Sequence, residues 1–224
     1  MSEECANKPD SLEAIRLSLR NTYRATRPAI DAQLAAFSAV WEDGDDRALF
    51  REMCFCTCTP QTNAHKGWAA ANGLYETGLL TEGTAARIAE TLRGCGVRFH
   101  NNKSLYIAEN RDHFWPHTKS RLAEILRADD PQRELCRRVA GWGMKEAAHF
   151  MRNIGFGHVA CILDRHILRQ LALCGVIVEI PRSLTVPLYR AIDLKMKRLA
   201  HDIKIPIAAL DLVFWYRETG EIFK

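Results

Sequence analysis

The sequence predicts an all-α fold, with about 60% or more helix against about a third in globular proteins at large. Three observations support it. Apolar residues recur at helical spacing along most of the chain, while caps and breakers punctuate the recurrences. The single extended-looking run, Val176-Ile177-Val178-Glu179-Ile180-Pro181, has no second strand to pair with and reads as a connector. At 224 residues and 47% hydrophobic content the chain can bury a sizeable core as one domain or two small lobes, which excludes disorder. A formal net charge of +4 favours an anionic partner only weakly. The eight cysteines (5, 54, 56, 58, 95, 136, 161 and 174) follow no disulfide-framework spacing. With no signal peptide and no apolar run of membrane-spanning length, the expected setting is a reducing one, cytoplasmic or otherwise intracellular.

In chain order, Asp10 or Ser11 can cap a first helix carrying Leu12, Ile15, Leu19 and Tyr23, expected to end before Pro28. A second helix carries Ile30, Leu34, Phe37, Val40 and Trp41 and breaks at Asp43-Gly44-Asp45. From Arg47 to Thr59 the run is apolar nearly all round, as in a central helix covered on every side, and it ends at Pro60. Within it, Cys54, Cys56 and Cys58 read as small buried fillers, since no fourth donor completes a metal set.

Gln61-Thr62-Asn63 is a helix–helix junction with ordinary cap residues in Thr62 and Asn63. The next helix carries Trp68, Leu74 and Tyr75 towards Gly78, and another spans Thr81 to Arg93 before Gly94-Cys95-Gly96. Val97 to Lys103 reads as a polar loop with Phe99 set among Arg98, His100 and Lys103, either packing the loop onto the body or offering a stacking face. Lys103 to Arg127 is helical by pattern, interrupted at Trp115-Pro116. Asp129-Asp130-Pro131 starts a helix, Leu188, Ile192, Met196 and Leu199 line a later one, and Ile207 to Arg217 forms the last, closed by Gly220.

Chemistry concentrates between Val139 and Arg169. Gly141-Trp142-Gly143 reads as a tight hairpin between two helices, the second opened by Lys145. A helix N-terminus presents unpaired N–H groups and suits a phosphate, which makes nucleic acid a plausible partner. Asp164-Arg165-His166 precedes the apolar positions Ile167, Leu168 and Leu171, so Asp164 is placed as an N-cap, nineteen residues after Lys145. Taken singly, a helical lysine is usually solvated and an aspartate before a helix is usually a cap.

The pair in this order and context resembles the helix-hairpin-helix DNA glycosylases that use a lysine nucleophile. The matching strings are Gly141-Trp142-Gly143-Met144-Lys145 and Leu163-Asp164-Arg165-His166. The fuller string MKEAAHFMRNIGF, and a C-terminal Phe214-Trp215-Tyr216-Arg217-Glu218-Thr219-Gly220 closed by Lys224, are similar to the type-two 8-oxoguanine DNA glycosylase/AP-lyases. The resemblance covers most of the chain from about Leu34 onward. It implies the helix-hairpin-helix glycosylase fold: one domain over residues 1–224, with one helical lobe over about 31–127, a second over about 1–30 plus 128–224, and a DNA-binding cleft between them.

The same resemblance implies roles. Lys145 and Asp164 would be catalytic. Phe99, Trp215 (nine residues before the chain's last) and Lys224 would bind the extruded base, and Gln61 would enter the duplex where that base has left. Gly141, Gly143, Arg165 and His166 would contact DNA. The four-cysteine loop that holds an iron–sulfur cluster in some relatives has no counterpart, so neither metal nor cofactor is expected. The implied partner is double-stranded DNA containing 8-oxoguanine, approached by a monomer.

These residue types suit the reaction. Breaking a glycosidic bond builds positive charge on the sugar, which a carboxylate such as Asp164 stabilises. An amine such as Lys145 can attack C1′ once the site favours its free form, by desolvation or by cationic neighbours such as Arg165, and the Schiff base then permits β-elimination. Two alternatives stay open at this level: a glycosylase/lyase for another damaged base, and a non-catalytic hairpin module that only holds DNA.

Overall fold

The computed structural model describes residues 8–224, with side chains from residue 12 onward. Cys5 and the side chains of Asp10 and Ser11 lie outside the described residues. The structure is all-helical, with a helix content of 71% and no strand among the described residues. None of its helices is long and apolar enough to cross a membrane. The chain forms two compact units: residues up to Ala36 together with Gly157–Phe223, and Phe37–Phe156 together with Lys224.

Helix α1 (Lys8–Glu42) runs through both sets of residues as one 35-residue element. The expected break at Pro28 does not occur. Pro28 and Arg24 are both exposed, so water can satisfy the carbonyl that the proline leaves without a donor. Leu19, Ile30 and Phe37 bury the opposite face of the same helix, and that burial outweighs the lost bond.

The 37–156 unit is built around α2 (Asp46–Cys58). Asp45 caps it by accepting from the Ala48 N–H at 2.7 Å, and Leu49, Phe50, Met53 and Phe55 are buried along it. Cys54, Cys56 and Cys58 are buried there as expected, and burial pushes the Cys58 thiol up to about 12. Around α2 lie α3 (Ala64–Glu76), α4 (Leu79–Glu82), α5 (Ala85–Gly94), α6 (His100–Phe114), α7 (Thr118–Leu126), α8 (Pro131–Arg138) and α9 (Met144–Asn153).

Two expectations are corrected in this unit. The helix expected from Thr81 to Arg93 is divided between α4 and α5, because the Thr84 side chain accepts from the Arg87 N–H at 3.4 Å and starts a new helix. The polar loop expected to reach Lys103 ends at Phe99, and His100 to Lys103 form the first turn of α6.

In the unit of residues 157–223, α10 (Arg165–Leu173), α11 (Val186–Asp202) and α12 (Ile207–Thr219) pack around Ile167, Leu171, Ile192, Met196, Leu210 and Phe214. Residues 176–181 form no strand, as expected. Gly220 closes α12 in the left-handed conformation at φ 78°, donating its N–H to the Tyr216 carbonyl at 2.8 Å.

Candidate active site

The hairpin between α8 and α9 is held from several sides. Asn110 of α6 donates to the Ala140 carbonyl at 3.1 Å and accepts from the Ala140 N–H at 2.8 Å. Gln132 donates to the Met144 carbonyl at 2.7 Å. Trp142, the hairpin's middle residue, points into the unit and donates its indole N–H to Thr57 Oγ1 at 2.9 Å. Gly141 and Gly143 stay exposed. Of the two, only Gly141 has positive φ (80°), and a Cβ there would overlap the Tyr106 ring. Gly143 is extended at φ −105°, and its N–H is taken by Glu146 Oε2 at 3.2 Å instead of being left free.

This clamped hairpin delivers Lys145 to the first turn of α9. Its side chain is 23% exposed, and its Nζ donates to Thr59 Oγ1 at 3.2 Å and lies 3.6 Å from Glu146 Oε1. One helical turn on, His149 is buried edge-on against Phe55, and its Nδ1 has no hydrogen-bond partner. Burial, then the charges of Arg152, Lys145 and Lys224, push this imidazole well below its ordinary range, so it is neutral.

The junction 59–63 and the segment 97–99 share one anchor. Lys103, 4% exposed, donates its ammonium to the carbonyls of Cys58 and Pro60, both at 2.8 Å, and to Thr62 Oγ1 at 3.1 Å. Thr62 Oγ1 also accepts from the Arg98 N–H at 3.1 Å, and the Lys103 N–H donates to the Phe99 carbonyl at 3.0 Å. The two residues presented by these segments, Gln61 and Phe99, are both exposed and both held in the left-handed region at φ 54° and 56°. Non-glycine residues persist there only when their surroundings over-determine them. Asn63 caps α3 as expected, while Thr62 serves as the acceptor that ties the segments together.

Burial pushes Lys103 down to about 8, whereas an unfolded chain titrates near 10.4. The folded value lies below the unfolded one, so the unfolded state holds the extra proton through this window and stability rises with pH across it. Between about pH 8 and 10, urea unfolding of the wild type should gain roughly 2–3 kcal/mol relative to Lys103→Met. Parallel pH profiles for the two proteins would mean that this ammonium is not desolvated.

Asp164 lies in the other unit and caps α10, its Oδ1 accepting from the Ile167 N–H at 2.8 Å. The chain leading to it is fixed by α11. Asp193, 5% exposed, accepts from the Cys161 N–H at 2.7 Å, and Tyr189 donates to the Cys161 carbonyl at 2.6 Å while accepting from the Leu163 N–H at 3.2 Å. Arg165 is exposed. His166 meets the Trp215 ring edge-on at 5.6 Å and lies 3.4 Å from Glu218, which also receives Gln170 at 2.7 Å and Arg169 at 3.0 Å. The hydrogen bonds from Gln170 and His166, with the charge of Arg169, hold the Glu218 carboxyl below its ordinary range. The indole N–H of Trp215 is buried with no partner.

The terminal lysine is not frayed. Its side chain is 15% exposed, and its Nζ is ion-paired with Glu52, which has no exposed surface, and lies 4.1 Å from the Trp68 ring centroid. Within the 37–156 unit the structure therefore holds Lys145, Gln61, Phe99, Gly141, Gly143 and Lys224, and within the other Asp164, Arg165, His166 and Trp215. Sequence reasoning missed Glu52, Thr59, Lys103 and His149. A carboxylate inside an otherwise apolar run was the available signal for Glu52.

The chain is similar to known proteins in sequence and in fold. Residues 30–205 match the family model described as 8-oxoguanine DNA glycosylase. An 8-oxoguanine DNA glycosylase/AP lyase of Fusobacterium nucleatum is 36% identical over 210 residues, covering 92% of this chain and 96% of that protein. One of Methanocaldococcus jannaschii is 32% identical over 196 residues, covering 87% and 91%. The crystal structure of the 8-oxoguanine DNA glycosylase of Thermotoga maritima superposes with a TM-score of 0.85 at 27% identity, covering 95% of this chain and all of that one. The Methanocaldococcus jannaschii 8-oxoguanine glycosylase/lyase, in complex with a 15mer DNA containing 8-oxoguanine, superposes with a TM-score of 0.83 at 26% identity, covering 92% and 100%. With the lysine hairpin, the capping aspartate and a family match over most of its length, the chain belongs to the 8-oxoguanine DNA glycosylase family of the helix-hairpin-helix fold.

Proposed function

We propose that this protein excises 8-oxoguanine from double-stranded DNA through a Schiff base on Lys145, then cleaves the strand by β-elimination. The observation that carries the reading is the state of the Lys145 amine. Within its unit, Lys103 gives its ammonium to three oxygens and Lys224 is paired with a buried carboxylate. Lys145 has one neutral hydroxyl at 3.2 Å and a carboxylate at 3.6 Å. It can leave those partners at small cost and reach a substrate.

In the proposed reaction, the Lys145 nitrogen forms a bond to C1′ while the bond from C1′ to the base breaks. The base leaves with the bonding electrons and takes up a proton. Opening of the sugar ring gives an iminium; loss of a 2′ proton then expels the 3′ phosphate and breaks the strand. Asp164, with one oxygen in its cap, stabilises the positive charge that develops on the sugar. Phe99 and Trp215 stack on the extruded base, Lys224 reads its edge, and Gln61 fills the space left in the duplex. Gly141, Gly143, Arg165 and His166 contact the DNA backbone, which makes binding fall steeply with salt.

Borohydride trapping on a duplex carrying a single 8-oxoguanine tests the reading. The expected product is a covalent protein–DNA adduct, formed with 8-oxoguanine and not with guanine at the same position. Absence of the adduct, with excision intact, would replace the lysine mechanism by a water-activating one.

A further inference from the structure

Thr62 carries a hydroxyl that its own helix does not use. Asn63 caps α3, accepting from the His65 and Lys66 N–H groups at 3.0 and 3.4 Å. The Thr62 hydroxyl turns instead to groups 36 and 41 residues away, accepting from the Arg98 N–H and from the Lys103 ammonium, both at 3.1 Å. Its own proton goes to the Pro60 carbonyl at 3.4 Å, so the proton and both lone pairs of one oxygen are engaged. Lys103 closes the circuit. Its backbone N–H reaches the Phe99 carbonyl at 3.0 Å, one residue after Arg98, and its ammonium reaches the Pro60 carbonyl at 2.8 Å, one residue before Gln61.

Gln61 and Phe99 are thus each held by a peptide group that belongs to this circuit. Both are exposed, and both occupy the left-handed region, which neither residue type favours. Resting on the reading that Gln61 enters the duplex and Phe99 stacks on the extruded base, we infer that Thr62 is a positioning residue that couples the two, so that placing one side chain places the other. Two unfavourable backbone conformations that share one anchor are kept or lost together. The gain for the reaction is preorganisation: with both segments fixed against each other, the contact made first lowers the ordering cost of the second.

The test is a double-mutant cycle, read as single-turnover excision of 8-oxoguanine from duplex DNA by the full-length protein. With Thr62 in place, Gln61→Ala and Phe99→Ala should each lower excision by about tenfold, and together by well under the roughly hundredfold that independent effects would give. Thr62→Val keeps the shape and removes the hydroxyl, and in that background the same two substitutions should multiply as independent effects. Thr62→Ser restores the oxygen and should restore the coupling. A residue that only supported the fold would lower the melting temperature and leave the coupling as it was. Should valine not fit, Thr62→Ala removes the hydroxyl from a smaller side chain and serves in the same cycle. Coupling of equal size with and without the hydroxyl, or none in the wild type, would overturn the inference while the roles of Gln61 and Phe99 stand. If neither Gln61→Ala nor Phe99→Ala impairs excision, the reading beneath falls and the inference with it.

Discussion

Lys145→Gln leaves a folded protein that forms no borohydride adduct and cleaves a preformed abasic site on the order of 10³-fold or more below wild type, as expected when a nucleophile acting within a unit is lost. Gln keeps most of the side chain's length and can still donate to Thr59 Oγ1, so the hairpin's support from Asn110, Gln132 and Trp142 is untouched. What the fold loses is the 3.6 Å contact with Glu146, a partly exposed pair worth under about 1 kcal/mol. Thermal melting should therefore move little while the covalent step disappears. Retention of normal strand cleavage would move the nucleophile to another amine, and Lys103 and Lys224 are poor replacements because three acceptors and a buried carboxylate already hold them.

What the sequence disclosed was mainly local. Asp45, Asn63, Asp164 and Gly220 could be assigned as helix boundaries because capping depends on a few adjacent residues. The lysine hairpin was legible for the same reason, as was the burial of Cys54, Cys56 and Cys58. Pro28 misled because its penalty is local while the compensation is tertiary: one bond is lost at an exposed position of a helix whose other face buries Leu19, Ile30 and Phe37. The groups that position the site were hidden for a related reason. Lys103 looks like an ordinary surface charge until partners 41–45 residues away are known. Asp193 and Tyr189, which hold the approach to Asp164, act across 26–32 residues with no spacing rule to announce them.

Asp164 offers the sharpest separation of a structural from a chemical role, because its substitutions divide the two. Its Oδ1 accepts the Ile167 N–H at 2.8 Å and so caps α10. Asparagine retains a carbonyl oxygen for that bond and ranks with aspartate as a cap, so Asp164→Asn should preserve stability to within about 0.5 kcal/mol. It removes the negative charge that, in the proposed mechanism, balances the developing cation at the sugar, so 8-oxoguanine release should slow by about 10²–10³-fold. Asp164→Ala should slow release comparably and also destabilise the fold by about 1 kcal/mol, since the N–H of Ile167 then loses its acceptor. DNA binding by both variants should survive, as neither removes a phosphate contact. Single-turnover excision and urea unfolding on the pair decide the matter. If asparagine supports wild-type excision while alanine does not, the carboxylate acts only through the cap, and the charge opposite the sugar has to come from elsewhere.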